Sequence, residues 1–496
     1  MRKSTVAVLA VCALLVAACG TRLPDEAFVE SGELVPAEGS TTDGGEVADD
    51  GGLAAGETTT TVAGGGDGSG GSTGGSTGGS TGGGSTTGGT GGSGGPNQAS
   101  DVGVTANTIT IGTIVAENGV LGDAFAPAAR GLRAWAAHIN AKGGIHGRQV
   151  ILKTCDDGES RNRALECARR LVEQEKVFAL VGANTRAMGG ASEYLNSQGV
   201  PVLGIPITNA YYRYPHFWPG YPFGYKRDGK TVGHNGNLIF TSGIYRWFKA
   251  NLKISKAAVF MYDIDESKQA GAAFQKGLEL EGFSVEPYVV SFAAPSFDQG
   301  VADMQNKGVQ IIFDTMDDGA NRKLCDAMQR RGFKPKAKVS TVVSFGEKVG
   351  TAYNDTCRNI VFIPGDSTPY TTKNAAATEF REAYARYQPG KELHQWALES
   401  WGQAMLVRDA LEHMGAAPTR KGLEDYFRSL NKYNANGLFV GLDWRPIDYD
   451  APTTEDCFTI ARWLDSEGGW VRATQKFTFC YPDGKQYPAR ALEQGN

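Results

Sequence analysis

Carboxylates and cysteines are the residues of this chain whose spacing could do chemistry. Asp156-Asp157 and Asp317-Asp318 are adjacent acidic pairs. Such pairs serve proton transfer when their surroundings drive the two pKa values apart. They serve equally as strand-end residues and hydrogen-bonding caps, which is the reading taken here. The six histidines, His138, His146, His216, His234, His394 and His413, show no His-Glu-x-x-His spacing. No Cys-x-x-Cys pair offers a zinc site, and no Gly-x-Ser-x-Gly elbow or phosphate-binding Gly-x-x-x-x-Gly-Lys loop occurs. No catalytic residue, metal or cofactor is therefore expected, and the chemistry to look for is noncovalent binding.

The chain has eight cysteines, of which Cys12 and Cys19 lie at the extreme N-terminus. The remaining even set, Cys155, Cys167, Cys325, Cys357, Cys457 and Cys480, fits disulfides in an exported protein. Six cysteines allow 15 pairings. Chain order favours Cys155–Cys167, Cys325–Cys357 and Cys457–Cys480, with free buried thiols as the alternative. Cys457 and Cys480 lie nearly symmetrically about Glu467-Gly468-Gly469, as cross-strand partners of a hairpin would.

These residues sit within alternating strands and helices. Thr108 to Val115 reads as a strand, and Asp123 is placed to cap a helix with Phe125, Ala128, Leu132, Trp135 and Ile139 on one face. Gly143-Gly144 ends that helix. Strands at Gln149–Lys153, Val177–Val181 and Val200–Ile205 follow, with a helix opening at Ser160. The pattern restarts with strands at Ala257–Met261, Val285–Val290, Gln310–Asp314 and Ile360–Ile363, and helices at Gln269–Glu281 and Ala320–Gly332. Further helices are expected at Ala375–Tyr387 and Leu398–Met414. The fold class is α/β, with parallel central sheets in two Rossmann-like lobes. The aromatic stretch from Tyr211 to Pro219 is read as a loop that either walls an apolar ligand or packs beneath its lobe.

An ordered run of residues resembles a known family. It comprises Ile111-Gly112-Thr113, Gly131, Ile139-Asn140-Ala141-Lys142-Gly143-Gly144-Ile145-His146-Gly147-Arg148, Asp156, Leu171-Val172 and Ala179-Leu180-Val181-Gly182. The chain looks like the type I periplasmic binding proteins that serve ABC importers for branched-chain amino acids and related solutes. The likeness spans residues 104 to 445. It implies two lobes that exchange chain: 104–240 plus 368–438, and 241–367 plus 439–496. Three crossovers would form a hinge, and a solute would bind in the cleft between the lobes. General physics places ligands there too, outside the carboxyl ends of parallel strands. The strand ends then nominate Glu117, Asn118, Asn184, Thr185, Thr208 and Asn209 in lobe one. In lobe two they nominate Asp263, Glu266, Asp317, Asp318, Ser344 and Phe345. Thr185 and Thr208 best match the family's contacts to a solute carboxylate. Amino-acid binders of this kind commonly carry an acid in the later lobe-two loop, which here reads Ser344-Phe345-Gly346 with Glu347 offset. Asp317 and Asp318 are placed to supply that charge. The tyrosine often found after the first lobe-two strand is missing around Ile264 to Ser267.

The N-terminus reads as an address. Arg2 and Lys3 precede a short apolar run, and Leu15-Val16-Ala17-Ala18-Cys19 resembles a bacterial lipobox. That implies a signal peptide over 1–18 and a lipid on Cys19, so the protein would sit on the outer face of the cell membrane. Residues 19–103 follow as a Gly/Ser/Thr-rich disordered tether with little to bury. This stretch explains why 67 of 496 residues are glycine, against a usual ~7%. A net charge of −5 argues against nucleic-acid binding. The expectation is a monomeric, lipid-anchored solute-binding protein that hands a small molecule, an amino acid or related amide or carboxylate, to ABC permease subunits. A ligand-sensing receptor module of the same fold is the alternative, and an exported hydrolase would need a catalytic constellation the sequence lacks.

Overall fold

Strand β1 (Thr108–Val115) shows how the first lobe is layered. Ile109 and Ile111 face one helical layer while Ile114 faces another, so the strand is apolar on both sides, as a covered parallel strand must be. The computed structural model describes residues 96–474, 476 and 478–491, together with the paired strands Val29–Glu30 and Glu33–Leu34. The signal segment 1–18, Cys19 and residues 35–95 of the expected tether lie outside the described residues.

The first sheet contains β1, β2 (Gln149–Asp156), β3 (Ala179–Ala183), β4 (Val202–Gly204) and β5 (Phe217–Pro219). Its order is β2-β1-β3-β4-β5 and every pairing is parallel. Helix α1 (Gly122–Ala141) covers one face with Leu132, Trp135 and Ile139. Helices α2 (Arg161–Arg169) and α3 (Gly189–Ser197) cover the other. Ser160 caps α2 by accepting from the Arg163 N–H. Asp123 does not cap α1. Leu121 occupies that position, and its N–H is taken by the Glu159 carboxylate, so Asp123 falls in the first turn. The aromatic stretch expected as a loop is a short helix, α4 (Ala210–Arg213), followed by β5. Phe217 and Trp218 are fully buried, which makes this stretch part of the lobe core.

The second sheet has nine strands. These are β6 (Asn237–Thr241), β7 (Lys256–Tyr262), β8 (Ser284–Val290), β9 (Ile311–Asp314), β10 (Ala337–Val339), β11 (Val361–Gly365), β12 (Thr453–Leu464), β13 (Gly469–Arg472) and β14 (Phe479–Arg490). The order is β8-β7-β9-β10-β11-β12-β14-β6, with β13 on β12. The run β8 to β11 is parallel, and the remaining pairings are antiparallel. Helices α5 (Gly243–Leu252) and α6 (Asp265–Leu280) cover one face. Helices α7 (Asp298–Lys307) and α8 (Asp318–Arg331) cover the other, and α9 (Lys348–Ala352) follows.

After β11 the chain returns to the first lobe as α10 (Ala375–Tyr387), α11 (Gln395–Met414) and α12 (Arg420–Ser429). Helices α10 and α11 pack on α1. The α1–α11 crossing is so close that a Cβ at Gly131 would stand 2.1 Å from the Ala397 carbonyl oxygen. The chain then crosses to β12. The first change of lobe, expected at 240/241, lies earlier, because β6 pairs with β14 at the far end of the sequence.

The expected tether also ends sooner than Gly103. The Gln98 N–H donates to the Ala416 carbonyl at 3.0 Å, Ser100 Oγ to Pro418 at 2.6 Å, and the Arg420 N–H to Asp101 Oδ2 at 2.7 Å. Three disulfides join Cys155 to Cys167, Cys325 to Cys357 and Cys457 to Cys480. Each such crosslink is worth about 2–4 kcal/mol. Cys457 and Cys480 are directly opposite across β12 and β14. Among the described residues, no helix is long and apolar enough to cross a membrane.

Candidate functional site

The carboxyl ends of both parallel sheets face a shared cleft, and several contacts cross it. Val342 and Val343 of the second lobe pack on Val115, Ala116, Phe125, Ile205 and Trp396 of the first. The Arg186 guanidinium lies 5.4 Å from the centre of the Phe292 ring. Gln269 Nε2 donates to Asn209 Oδ1 at 3.4 Å. Lys348 Nζ is 3.4 Å from Asp123 Oδ2. The Gln395 N–H donates to the Phe345 carbonyl, and the Lys348 N–H to Glu392 Oε1. The buried His394 imidazole receives the Trp396 N–H on Nδ1, so Nε2 carries the proton and donates to the Val343 carbonyl at 3.1 Å. Burial pushes its pKa down to about 4, so it is neutral at physiological pH.

The lobe-one nominees are committed differently. Glu117 is paired with Arg133 on its own lobe. Asp156 Oδ1 accepts the Glu117 and Asn118 N–H groups at 2.9 and 3.3 Å, and the Asn118 amide also reaches this carboxylate. Burial opposes ionisation of Asp156, but these bonds and the Gly158 N–H outweigh it and hold the carboxyl below its usual range. Its neighbour Asp157 behaves oppositely. Burial pushes it up to about 6, against the opposing Thr185 hydroxyl and Glu159 N–H. The adjacent aspartates thus differ through environment, as strand-end residues do. Thr185 caps the turn Arg186–Met188 by accepting from the Ala187 N–H at 3.0 Å. Asn184 and Thr208 are buried, yet both amide atoms of Asn184 and the Thr208 hydroxyl have no hydrogen-bond partner.

In lobe two, Asp314 anchors the floor. It accepts from Lys338 Nζ at 2.6 Å, Ser340 Oγ at 2.7 Å and Asn321 Nδ2 at 3.0 Å. Asn321 also donates to Ser344 Oγ at 3.0 Å, which fixes that loop. Asp317 caps α8 by accepting from the Gly319 and Ala320 N–H groups, and it binds the Tyr262 hydroxyl. Tyr262 is thus a tyrosine at the end of the first lobe-two strand, two positions before the stretch where one was sought. Asp318 accepts from the Tyr353 hydroxyl at 3.0 Å, and burial pushes it up to about 6. Asp317 and Asp318 line a cavity of about 500 Å³ with Leu121, Arg130, Arg322, Lys348 and His394. Exposed Asp263 accepts from the Phe292 N–H, and Glu266 lies in the first turn of α6. Phe345 belongs to the core rather than the cleft, because its ring packs against Tyr370 and Trp470.

Residues 108–468 match the family model described as "Periplasmic binding protein". The chain belongs to that family. No curated protein matches it in sequence. Among solved structures, it resembles a fatty acid ABC transporter substrate-binding protein from Thermomonospora curvata at 18% identity and a TM-score of 0.62. That match covers 77% of this chain and 95% of the other. A solute binding protein of an ABC transporter from Rhodopseudomonas palustris BisB5, in complex with 3,4-dihydroxybenzoic acid, is 17% identical with a TM-score of 0.58, covering 77% and 98%. A leucine binding protein from Thermotoga maritima MSB8 is 15% identical with a TM-score of 0.57, covering 74% and 97%. At these identities the likeness shows the fold alone, which is that of the type I periplasmic binding proteins.

Periplasmic binding proteins close by hinge motion about their interdomain segments. In this family member the chain crosses between sheets at 220–236, 366–374 and 430–452. Glu399 and Gln403 of α11, which with Gln395 reach these crossovers, are not among the strand-end nominees. Their signal in the sequence is an acid and an amide four residues apart among the mostly apolar residues Trp396–Val407.

Proposed function

We propose that the chain is a lipid-anchored, extracytoplasmic solute-binding protein that delivers a small molecule to ABC permease subunits. Cys19 carries the lipid, residues beyond it space the folded part from the membrane, and the protein acts as a monomer without covalent chemistry. The solute is an amino acid or a related amide or carboxylate compound held between the two lobes, which exchange chain at 220–236, 366–374 and 430–452.

One observation carries this reading. Asn184 and Thr208 at lobe-one strand ends, and the Thr341 hydroxyl after β10 in lobe two, hold buried polar atoms without partners. A buried, unpaired polar group costs about 1–3 kcal/mol. A solute that supplies the missing partners offsets that cost and gains affinity from both lobes. The fatty acid, dihydroxybenzoic acid and leucine in the names of the similar structures are all carboxylic acids, which fits a site of hydroxyl and amide donors. Thr185, Asn209 and Ser344 flank the same strand ends, and Asp317 and Asp318 supply acidic groups at the cavity edge.

A thermal-shift screen of amino acids, amides, urea, aromatic acids, fatty acids and short peptides tests the proposal. At least one class raises the melting temperature saturably, and the response falls in Thr208→Ala. A response to no class, or one indifferent to Thr208, contradicts it.

A further inference from the structure

All three crossovers meet at one end of α11. Trp444 Nε1 donates to the Tyr221 carbonyl at 3.1 Å, and the Val440 N–H to the Asp366 carbonyl at 2.8 Å. Trp396, Glu399 and Gln403 are spaced by three and four residues, so they share the α11 face that meets these segments. Glu399 is 2% exposed. One of its oxygens accepts from Ser367 Oγ at 2.6 Å and the other from the Tyr221 hydroxyl at 3.5 Å. The half-buried Asp366 is near enough to act on both Glu399 and Tyr221. Among the described residues, neither carboxylate has a Lys, Arg or His as an ion-pair partner.

A second observation concerns the neighbouring side chains. Gln403 is 0% exposed, and neither of its amide atoms has a hydrogen-bond partner. The buried Trp396 indole faces Tyr221. Gln403 is aimed at the segment that carries Tyr221, since a Cβ at Gly220 would lie 2.2 Å from its Nε2. A buried acid is tolerated when it is paired or neutralised, and a buried amide when it is bonded. This group has two acids of like charge and an amide with neither atom bonded.

We propose that the hinge end of the cleft is the seat for a positively charged group on the solute, a primary or substituted ammonium held by Glu399 and Asp366. The inference rests on the cleft-binding reading above and names the solute as an amine-bearing small molecule. The two carboxylates and Gln403 Oε1 offer acceptors for the three donors of an ammonium. The Tyr221 hydroxyl already reaches Glu399, and Trp396 precedes Glu399 by one turn of α11.

The seat has a pH signature. Burial pushes Glu399 up to about 8, with Asp366 adding to the rise and the Ser367 and Tyr221 hydroxyls opposing it. Burial pushes Asp366 up to about 7, with Asp456 of β12 adding to the rise. Tyr212 and Tyr221 also face Asp366. A cation binds the ionised acids, so at neutral pH its binding releases protons, and affinity rises with pH as these groups ionise.

The experiment uses the full chain and alkylammonium chlorides from methyl to hexyl, against sodium alkylcarboxylates of equal length at matched ionic strength. Melting shifts and calorimetry in two buffers of different ionisation enthalpy are read. The alkylammonium ions raise the melting temperature saturably, release protons at pH 7, and bind about tenfold tighter at pH 8.5. Glu399→Gln mimics the protonated acid, so it keeps the ligand-free stability at pH 6. It weakens ammonium binding about tenfold or more and flattens the pH dependence. Absent stabilisation by ammonium ions overturns the proposal. So does binding that survives both Glu399→Gln and Asp366→Asn. Stabilisation by carboxylates alone, lost in Thr208→Ala and unchanged in Glu399→Gln, overturns the cation seat and leaves cleft binding intact.

Discussion

Thr185 and Thr208 occupy successive strand ends, but their hydroxyls are committed differently. Thr185 caps a turn, and losing such a cap costs about 1 kcal/mol of stability. Thr208 has no partner for its hydroxyl, so Thr208→Ala does not lower the melting temperature of the free protein. Losing a hydrogen bond to a charged solute group costs about 1.5–3 kcal/mol. Thr208→Ala therefore weakens solute binding about tenfold or more, while Thr185→Ala lowers the melting temperature as well. Calorimetric titration beside thermal melting separates the two effects, and normal affinity in the double variant removes both residues from the site. His394 makes a separate prediction. Its folded pKa of about 4 lies below the unfolded value of ~6.5, so the unfolded chain binds the proton first. The stability linked to neutral His394 is present above pH ~6.5 and is lost as pH falls toward 4, by roughly 3 kcal/mol. Asp157 and Asp318 are shifted upward and run the other way, so the measurement is a difference. The stability gap between wild type and His394→Gln shrinks on acidification from pH 7 to pH 4. A constant gap contradicts a buried neutral imidazole.

Elements with local signals were legible in the sequence. The β1 alternation, the Ser160 cap and the parallel strands of both lobes follow from residues close in the chain. The Cys457–Cys480 bridge is visible because its hairpin is local. What escaped depends on distant pairing. β6 joins the second sheet only through β14, and an isolated run such as Asn237–Thr241 carries no record of that partner. The candidate site divides likewise. Strand ends nominated Asn184 and Thr208, but Glu399 and Gln403 project from a helix that is otherwise core. Residues 97–103 are a similar case, since their composition reads as tether while their bonds run to the α11–α12 connection and Arg148. Deleting residues 21–95 from the soluble form leaves the melting temperature and solute affinity unchanged. Extending the deletion through Gly103 lowers the melting temperature, because Arg148, Ala416, Pro418 and Arg420 lose the bonds that Gln98, Ser100 and Asp101 make to them. Equal melting temperatures for both deletions contradict this packing.

At the scale of the whole molecule, the two lobes touch along the cleft through a mix of exposed polar contacts and a buried apolar centre. Arg186 on Phe292, Gln269 on Asn209 and Lys348 on Asp123 are separate contacts, and Val342 and Val343 close the apolar centre. The exposed Lys348–Asp123 pair contributes about 0–1 kcal/mol, while the buried His394–Val343 and Gln395–Phe345 bonds hold the lobes nearer the hinge. A solute that bridges both walls is then enough to set the balance between open and closed forms. Closure of this cleft by a small solute is measured directly by fluorescence transfer between dyes placed on α3 of the first lobe and α7 of the second. A solute that stabilises the protein shortens the distance saturably, with a midpoint equal to its calorimetric Kd, and Thr208→Ala shifts both together. A distance that stays constant while such a solute binds contradicts the account.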